Sequence, residues 1–465
     1  MLFSSIPFLY YFLPAVVILY FLMPGRSRNA FLLFASLLFY AWGEPRYVVL
    51  MAASILLFYI FGIAIEKSQT AAGRKSWLTV SILTGAAMLA VFKYADFAVE
   101  NWNRLTGMSL PLLKLALPIG ISFYTFQCIS YTIDVYRGRA AAQRNILSFG
   151  AYVALFPQLI AGPIVRYVDI ARELEHRETH PEDFSAGMTQ FLIGLGKKVL
   201  IANPLGELTE IFRASGDRSV LFYWVYAAAF TLHIYYDFSG YSDMAIGLGR
   251  IFGFRFPRNF DYPYISGSIT EFWRRWHMTL GSWFRDYVYI PLGGNRVKKG
   301  RWVFNILVVW MLTGLWHGAS WNFVVWGLLF AVILVAEKWI PALKKLPSLL
   351  RHGYVLLIVV VSFVIFNAPD LTQAGQDLAG MFGLQALPLS GTEGVYYLRS
   401  YALLFLAAIL GATPLPRNAA LWLRGKPWGD RALAILWPVA ALALLLVCTA
   451  YLVDGSFNPF LYFRF

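Results

Sequence analysis

The sequence predicts an all-α, multi-pass membrane protein, and three observations carry that prediction. The 465 residues are 59% hydrophobic and only 14% charged, whereas ordinary soluble domains are about 25% charged. Apolar runs such as SSIPFLYYFLPAVVILYFLM and ALAILWPVAALALLLVCTAYLV recur along the chain, and each can cross roughly 30 Å of hydrocarbon as a helix. The runs are apolar on every face, unlike the alternating strands of a membrane β-barrel.

The charged residues predict the orientation of these spans. The chain carries a formal net charge of +14, and its Lys and Arg residues collect in short loops that the positive-inside rule places in the cytoplasm. These loops are Pro24–Asn29, Glu66–Lys75, Arg137–Arg144, Arg250–Arg258, Arg296–Arg301, Lys338–Arg351 and Arg417–Arg431. The alternation predicts an external N-terminus, about 11–12 transmembrane helices and a single membrane domain over residues 1–465. We therefore interpret the basic charge as a sign of orientation in a lipid bilayer, and we predict no nucleic-acid partner.

Two stretches interrupt the simple pattern of spans. Leu155–Val165 is apolar but contains Pro157, Gly162 and Pro163, which predicts a re-entrant or broken segment enclosed by protein. Gly194–Leu205 carries Lys197 and Lys198 inside or beside an apolar run.

The stretch Ser266–Gly294 predicts an interfacial helix. Ser268 and Glu271 have the spacing of a capping box at its start, and Pro291, Gly293 and Gly294 punctuate its end. At helical spacing one face is apolar and aromatic and the other is polar. The apolar face comprises Trp273, Trp276, His277, Leu280, Trp283, Phe284 and Tyr287; the polar face comprises Arg274, Arg275, Ser282, Arg285 and Asp286. His277 is either part of an interfacial aromatic belt or a functional group.

A second histidine, His317, lies in the apolar run MLTGLWHGASWNFVVWG. Small residues surround it and allow close approach of a helix or a substrate, and Trp316 and Trp321 bracket it in sequence. Ionisable groups at membrane depth are costly and are functional candidates by default. A neutral buried imidazole suits a general base that activates a hydroxyl. A structural histidine that donates one hydrogen bond across a helix interface is the alternative.

A third polar cluster lies in TLHIYYDFSGYSDMAIGLGR, residues 231–250. His233 and Asp237 are four residues apart and can pair on one helix face, and Tyr241 adds a hydroxyl. A structural polar network is the alternative interpretation.

No His, Cys or carboxylate stands at metal-ligand spacing beside His317, so we predict no metal. The sequence also lacks the phosphate-loop, nucleophile-elbow and H-E-x-x-H motifs.

The order of several blocks resembles the membrane-bound O-acyltransferase (MBOAT) family, in its bacterial alginate O-acetyltransferase-like branch of polysaccharide acetylases. These blocks are GISFYTFQCISYTIDVYRG, LFPQLIAGPIVRY, YYDFSGYSDMAIGLGRIFGFRFPRNFDYPY, SITEFWRRWHMTLGSWFRDYVYIPLGGNR, LTGLWHGASWNFVVWG and FNPFLYFRF. The resemblance covers nearly the whole chain. Related bacterial branches acetylate peptidoglycan or transfer D-alanine to teichoic acids.

This resemblance implies a ring of tilted helices around a central tunnel in the bacterial cytoplasmic (inner) membrane. It implies that His317 is the catalytic histidine and that His277 is the family's second characteristic histidine. It also implies transfer of an acetyl group from a cytoplasmic donor, acetyl-CoA or another acyl thioester, with no bound cofactor. The acceptor is then an extracytoplasmic polysaccharide such as alginate, or a serine of a partner protein that acetylates the polymer.

Further residues are candidates for substrate or donor binding. Lys197, Lys198, Arg274 and Arg275 can hold donor phosphates by charge or anchor the protein at the membrane interface, and Trp316, Trp321, Asp237 and Tyr241 complete the predicted binding set. Four other functions stay open. Two lie within the family, D-alanyl transfer to teichoic acid and peptidoglycan O-acetylation; the others are a transporter or lipid-linked sugar flippase, and a non-catalytic subunit of an export complex.

Overall fold

A computed structural model describes residues 1–455 and 457–459 of the chain. The regular secondary structure of this part of the chain is helical, and it contains no β-strand. Residues 460–465, which end the FNPFLYFRF block, lie outside the described residues. The prediction of an all-α protein is therefore confirmed for the described part.

The helices have the following bounds. The first twelve are α1 Leu13–Leu22, α2 Arg28–Gly43, α3 Val48–Lys67, α4 Ala71–Leu89, α5 Ala95–Thr106, α6 Ile121–Tyr136, α7 Ile146–Ala154, α8 Phe156–Leu159, α9 Tyr167–Glu175, α10 Pro181–Gly196, α11 Asn203–Ala214 and α12 Val220–Ile251. The others are α13 Ile269–Arg275, α14 Met278–Phe284, α15 Lys299–His317, α16 Trp321–Trp339, α17 Ala342–Lys345, α18 Ser348–Asn367, α19 Leu371–Met381, α20 Thr392–Ser400, α21 Ala402–Gly411, α22 Leu415–Arg424 and α23 Gly429–Asp454. π-Helical turns cover Phe8–Phe12, Ala90–Tyr94, Lys197–Ala202 and Arg285–Tyr289.

Several of these helices are suited to cross a membrane. Five spans in the described residues are long and apolar enough, and the bent pair α20–α21 raises the number to six. In α23 only 6% of the most apolar stretch is buried inside the protein, so its apolar side chains need lipid around them. The protein is thus a multi-pass membrane protein. The count of 11–12 spans stays a prediction, because other apolar helices are shorter or broken, as α1 is.

The chain forms two compact units. The first comprises residues 1–191 and 242–258, and the second comprises residues 192–241 and 259–465. The prediction of a single membrane domain, and that of a ring with a central tunnel, stay predictions.

The first unit has an aromatic core around the broken segment Leu155–Val165. Phe156 packs its ring 5.5 Å from that of Phe39, and Phe8 lies 6.2 Å from Phe156. Every residue of 155–165 is buried, and the chain there leaves helical conformation after α8. Non-helical backbone at membrane depth needs such a protein environment, as the proline and glycine pattern predicts.

The stretch Ser266–Gly294 differs from the single interfacial helix that its periodicity predicts. It breaks into α13, α14 and a π-helical turn, and the break falls on His277, whose φ is +43°. A left-handed backbone at a non-glycine residue costs roughly 1–2 kcal/mol, so contacts elsewhere must hold it. The division into faces is right: Trp276, Leu280 and Trp283 are buried, whereas Arg274 is exposed.

The predicted capping box is half formed. Ser268 Oγ accepts a hydrogen bond from the Glu271 backbone N–H at 3.0 Å, but Glu271 accepts from the N–H of Gly267. Glu337 of α16 supplies the remaining acceptors, because its carboxylate binds the backbone N–H groups of Ile269 and Thr270 at 2.6 and 2.9 Å. This buried carboxylate fixes the start of α13 against α16.

Candidate active site

His317 ends helix α15 in the second unit, and the next helix, α16, returns alongside it. The two helices approach closely because glycines face the partner backbone. A Cβ on Gly314 would lie 2.3 Å from the carbonyl oxygen of Phe323, and a Cβ on Gly327 would lie 2.2 Å from that of Trp310. The small residues predicted to permit a close approach therefore serve helix packing, which positions His317.

We expect Gly314→Ala to separate these helices and displace His317. Overpacking of this kind costs typically about 1–3 kcal/mol, so a lower melting temperature in detergent and a clear loss of activity should follow. Gly300→Ala is the matched control, because it lies on the same helix with nothing within 4 Å of its Cβ position. Equal behaviour of the two variants would show that the close contact is unimportant.

Three aromatic rings surround the His317 imidazole. Trp316, Trp326 and Phe366 meet it edge to face, with ring centroids 5.0, 5.2 and 5.1 Å away. His317 itself is only 8% exposed. The site is thus walled by rigid aromatic surface, which excludes water and strengthens electrostatic interactions inside it.

Trp326 was not among the residues that the sequence singled out. It is 1% exposed, and its indole Nε1–H has no hydrogen-bond partner among the described residues. A buried donor without a partner carries a desolvation cost of about 1–3 kcal/mol. Trp326 therefore offers a hydrogen-bond donor beside His317 that a substrate could use.

His277 belongs to the same neighbourhood. Its ring lies 5.8 Å from that of Trp316 and 4.6 Å from that of Phe238, and it is 3% exposed. Burial, with a smaller electrostatic effect from the neighbouring His317, lowers the pKa of His277 well below its usual value. His277 is therefore neutral at physiological pH.

Asn259 sets the tautomer of His277. Its side-chain oxygen accepts hydrogen bonds from the backbone N–H and the hydroxyl of Thr279, at 3.3 and 2.9 Å. The same oxygen lies 3.1 Å from His277 Nδ1. Because an amide oxygen only accepts hydrogen bonds, Nδ1 of His277 carries the proton and Nε2 carries the lone pair. That Nε2 is buried and makes no hydrogen bond within the described part of the chain, so it can act as a base.

The other predicted residues fall in different surroundings. Trp316 is buried beside both histidines, whereas Trp321, at the first turn of α16, is 48% exposed. Arg275 donates to Glu271 at 2.9 Å and to the Asp261 carbonyl at 3.2 Å. These hydrogen bonds stabilise α13. They also occupy the guanidinium of Arg275, which disfavours its use in binding donor phosphates. Arg274 is exposed on the same helix.

Lys198 and Asp237 form a buried ion pair at 2.5 Å, with side chains 2% and 1% exposed. Lys198 also donates to the carbonyl of Pro459 in the C-terminal segment. This corrects the prediction that Lys198 binds donor phosphates or anchors the interface, because a buried lysine with internal partners reaches neither. Lys197 next to it is half-buried, and Tyr241 is buried.

The i, i+4 spacing of His233 and Asp237 predicted that they pair with each other. In the structure, Asp237 pairs with Lys198, and His233 contacts a backbone carbonyl. His233 Nδ1 lies 2.7 Å from the carbonyl oxygen of Ala202, at the end of the π-helical turn that carries Lys198. The π-helical turn, which is wider than an α-helical turn, places the Lys198 side chain against Asp237. These internal contacts favour the structural interpretation of the cluster, and a role of Asp237 and Tyr241 in binding stays a prediction.

The sequence profile of the MBOAT, membrane-bound O-acyltransferase family, matches residues 137–369, a range that contains both histidines. A probable alginate O-acetylase of Azotobacter vinelandii is 40% identical to the chain, and the match covers 100% of each.

The chain belongs to the MBOAT family.

Two other relatives show how far the similarity of this MBOAT protein extends. A peptidoglycan O-acetyltransferase of Helicobacter pylori is 33% identical over 84% of the chain and 81% of the relative. A teichoic acid D-alanyltransferase of Bacillus subtilis is 29% identical over 54% of the chain and 67% of the relative. The MBOAT protein is a membrane-embedded O-acetyltransferase of the alginate O-acetyltransferase-like type.

Proposed function

We propose that the protein transfers an acetyl group from cytoplasmic acetyl-CoA to an extracytoplasmic polysaccharide, with alginate as the acceptor. The observation that carries this proposal is the buried His317 in its aromatic enclosure, within a chain 40% identical over its full length to a probable alginate O-acetylase. An acetyl thioester is made in the cytoplasm and the polymer lies outside. A histidine buried inside a membrane protein gives donor and acceptor a place to meet without either crossing the bilayer completely.

His317 acts as the general base in this proposal. It takes the proton of the attacking hydroxyl while the hydroxyl oxygen forms a bond to the thioester carbonyl carbon. The tetrahedral intermediate collapses with cleavage of the carbon–sulfur bond. The thiolate of coenzyme A then takes this proton from the imidazolium. The products are an acetyl ester and free coenzyme A, and no metal is needed for the step.

Trp326 donates its free Nε1–H to the carbonyl oxygen as negative charge develops there. One such donor typically contributes about a hundredfold to a thousandfold to turnover. We therefore expect Trp326→Phe, which keeps a ring but removes the donor, to lower kcat strongly with little change in the KM for acetyl-CoA. Trp310→Phe is the control, since Trp310 packs beside Trp326 at 6.3 Å. A change in KM alone would assign Trp326 to binding.

His277 supplies the second base. Its Nε2 lone pair, which the Asn259 contact leaves without a proton, can relay the hydroxyl proton or hold the acceptor hydroxyl by accepting its hydrogen bond. The acceptor hydroxyl belongs to the polymer or to a serine of an extracytoplasmic partner protein.

The exposed Arg274 and the half-buried Lys197 remain the candidates for contact with donor phosphates. In this proposal the protein resides in the bacterial inner membrane.

The proposal is tested by the ester content of the exported polymer. A strain that makes alginate and lacks its own acetylase should regain alkali-labile acetyl esters on the polymer when it expresses this chain. Proton NMR of the purified polymer measures them. Unacetylated alginate together with acetylated peptidoglycan would indicate that peptidoglycan is the acceptor. Unacetylated alginate together with D-alanyl esters on teichoic acid would indicate D-alanyl transfer. Export of polymer without any acyl ester would favour a transporter.

A further inference from the structure

The first unit contains a large polar cavity that the proposed acetyl transfer does not use. It has a volume of about 990 Å³. Its walls come from the start of α2, the start of α7, the end of α9 with the chain that follows, and the end of α12. These segments include parts of three basic loops that the positive-inside rule predicts to face the cytoplasm. On this prediction the cavity faces the layer of phospholipid headgroups on the cytoplasmic side.

Arg177 is a fixed guanidinium in the wall of this cavity. Its Nε donates to the Tyr20 hydroxyl at 3.2 Å, and its Nη1 donates to Asn29 Oδ1 at 2.6 Å and to the Glu173 carbonyl at 3.1 Å. The Phe254 ring lies 4.5 Å from the guanidinium carbon. These contacts hold the planar group in one orientation, so little conformational entropy remains to be lost on binding.

The outer edge of this guanidinium is available. Within the described ranges 1–455 and 457–459, the hydrogen bonds of Arg177 all come from Nε and Nη1, and Nη2 donates none. Asn29, which anchors Arg177, is itself fixed by donating to the Leu174 carbonyl at 2.7 Å. A positioned guanidinium with free N–H groups is the geometry that recognises phosphate oxygens.

The rim of the cavity adds exposed positive charge. Arg26, Arg172 and Arg255 are exposed and line it. In all, six arginines and four carboxylates line the cavity. Two of the carboxylates already have cationic or imidazole partners, Asp183 with Arg250 at 2.8 Å and Glu178 with His180 at 3.6 Å. Positive charge is therefore in excess, which favours an anionic ligand.

We propose that this cavity binds the phosphate group of an anionic ligand, with Arg177 as the fixed contact and Arg172 and Arg255 as exposed contacts at the rim. Basic pockets between membrane helices on the cytoplasmic side are suited to phospholipid headgroups. A soluble phosphate compound offers the same chemistry. Binding here does not depend on acetyl transfer, so it can stand or fall separately from the proposed function.

The test measures binding to the purified full-length protein in a neutral detergent. Phosphatidylglycerol, phosphatidylcholine and inorganic phosphate are titrated separately, and the shift in melting temperature gives the apparent affinity. Arg172→Gln/Arg255→Gln removes the rim charges, and Arg177→Lys keeps the charge but removes the planar fork. Arg46→Gln/Arg104→Gln is the matched control, because both arginines are exposed and lie outside the cavity.

We expect phosphatidylglycerol to stabilise the wild type more than phosphatidylcholine, and each cavity variant to lose about tenfold or more in affinity. The control variant should bind as the wild type does. Stabilisation by inorganic phosphate that the cavity variants lose would support the same site with a soluble ligand. Unchanged affinity in both cavity variants, or an equal loss in the control, would overturn the proposal. His317→Gln should bind normally, which separates this result from a failure of the acetyl-transfer proposal.

Discussion

Replacing His317 with glutamine is expected to reduce acetyl transfer by about a hundredfold to ten-thousandfold. Glutamine resembles histidine in size and can form hydrogen bonds, but it cannot take a proton at neutral pH. The expected loss is the usual contribution of a positioned general base. Radiolabelled acetyl transfer into polymer, measured in membranes that contain equal amounts of wild type and variant, gives the ratio.

The control for this variant is His352→Gln. His352 lies on α18 and is only part-buried, with its Nε2 2.9 Å from the carbonyl of Ile265, so its replacement should change activity less than twofold. Equal membrane content and similar melting temperatures would exclude misfolding as the cause of the loss. Near-normal transfer by His317→Gln would remove His317 from the mechanism and leave His277 as the base.

Lys198→Met is expected to lower the free energy of unfolding by about 3–5 kcal/mol. The substitution leaves the Asp237 carboxylate buried at 1% exposure without the cation 2.5 Å from it. It also removes the donor to the Pro459 carbonyl, so the C-terminal segment should detach from this site. The melting temperature in detergent reports the first effect, and limited proteolysis of the C-terminus reports the second.

A double replacement isolates the charge effect. Lys198→Met/Asp237→Leu removes both charges and should recover much of the stability lost in the single variant, because an apolar pair of similar volume often replaces a buried ion pair without loss. Arg285→Met breaks an exposed pair with Asp286, in which the arginine is 60% exposed, and should cost less than about 1 kcal/mol. Similar losses for Lys198→Met and Arg285→Met would contradict a structural role of the buried pair.

The sequence predicted the main features that depend on local pattern. Apolar runs gave the helical membrane class. The isolated imidazole among small residues singled out His317, which the structure buries among aromatic rings, while its catalytic role stays a prediction. The alternation of faces in Ser266–Gly294 correctly separated buried Trp276 from exposed Arg274. Proline and glycine in Leu155–Val165 predicted the broken, enclosed backbone.

Features that depend on contacts between distant residues escaped prediction. The periodicity of Ser266–Gly294 continues through His277, so nothing in it signals a left-handed residue there; the contact with Asn259 holds that geometry. Lys198 and Asp237 lie on different helices, and their pairing depends on a π-turn with no sequence signature. Trp326 stands in the same apolar run as His317, but it resembles any core tryptophan until its unpartnered N–H is seen.

Transfer across a sealed membrane tests the central claim most directly. The experiment uses right-side-out vesicles from a strain that makes alginate, lacks its own acetylase and expresses this chain. The vesicles are loaded with radiolabelled acetyl-CoA, and deacetylated alginate is added outside. We predict alkali-labile label on the external polymer with the wild type and background label with His317→Gln. Equal labelling by both proteins, or release of intact acetyl-CoA to the outside without ester formation, would contradict transfer through the membrane at His317.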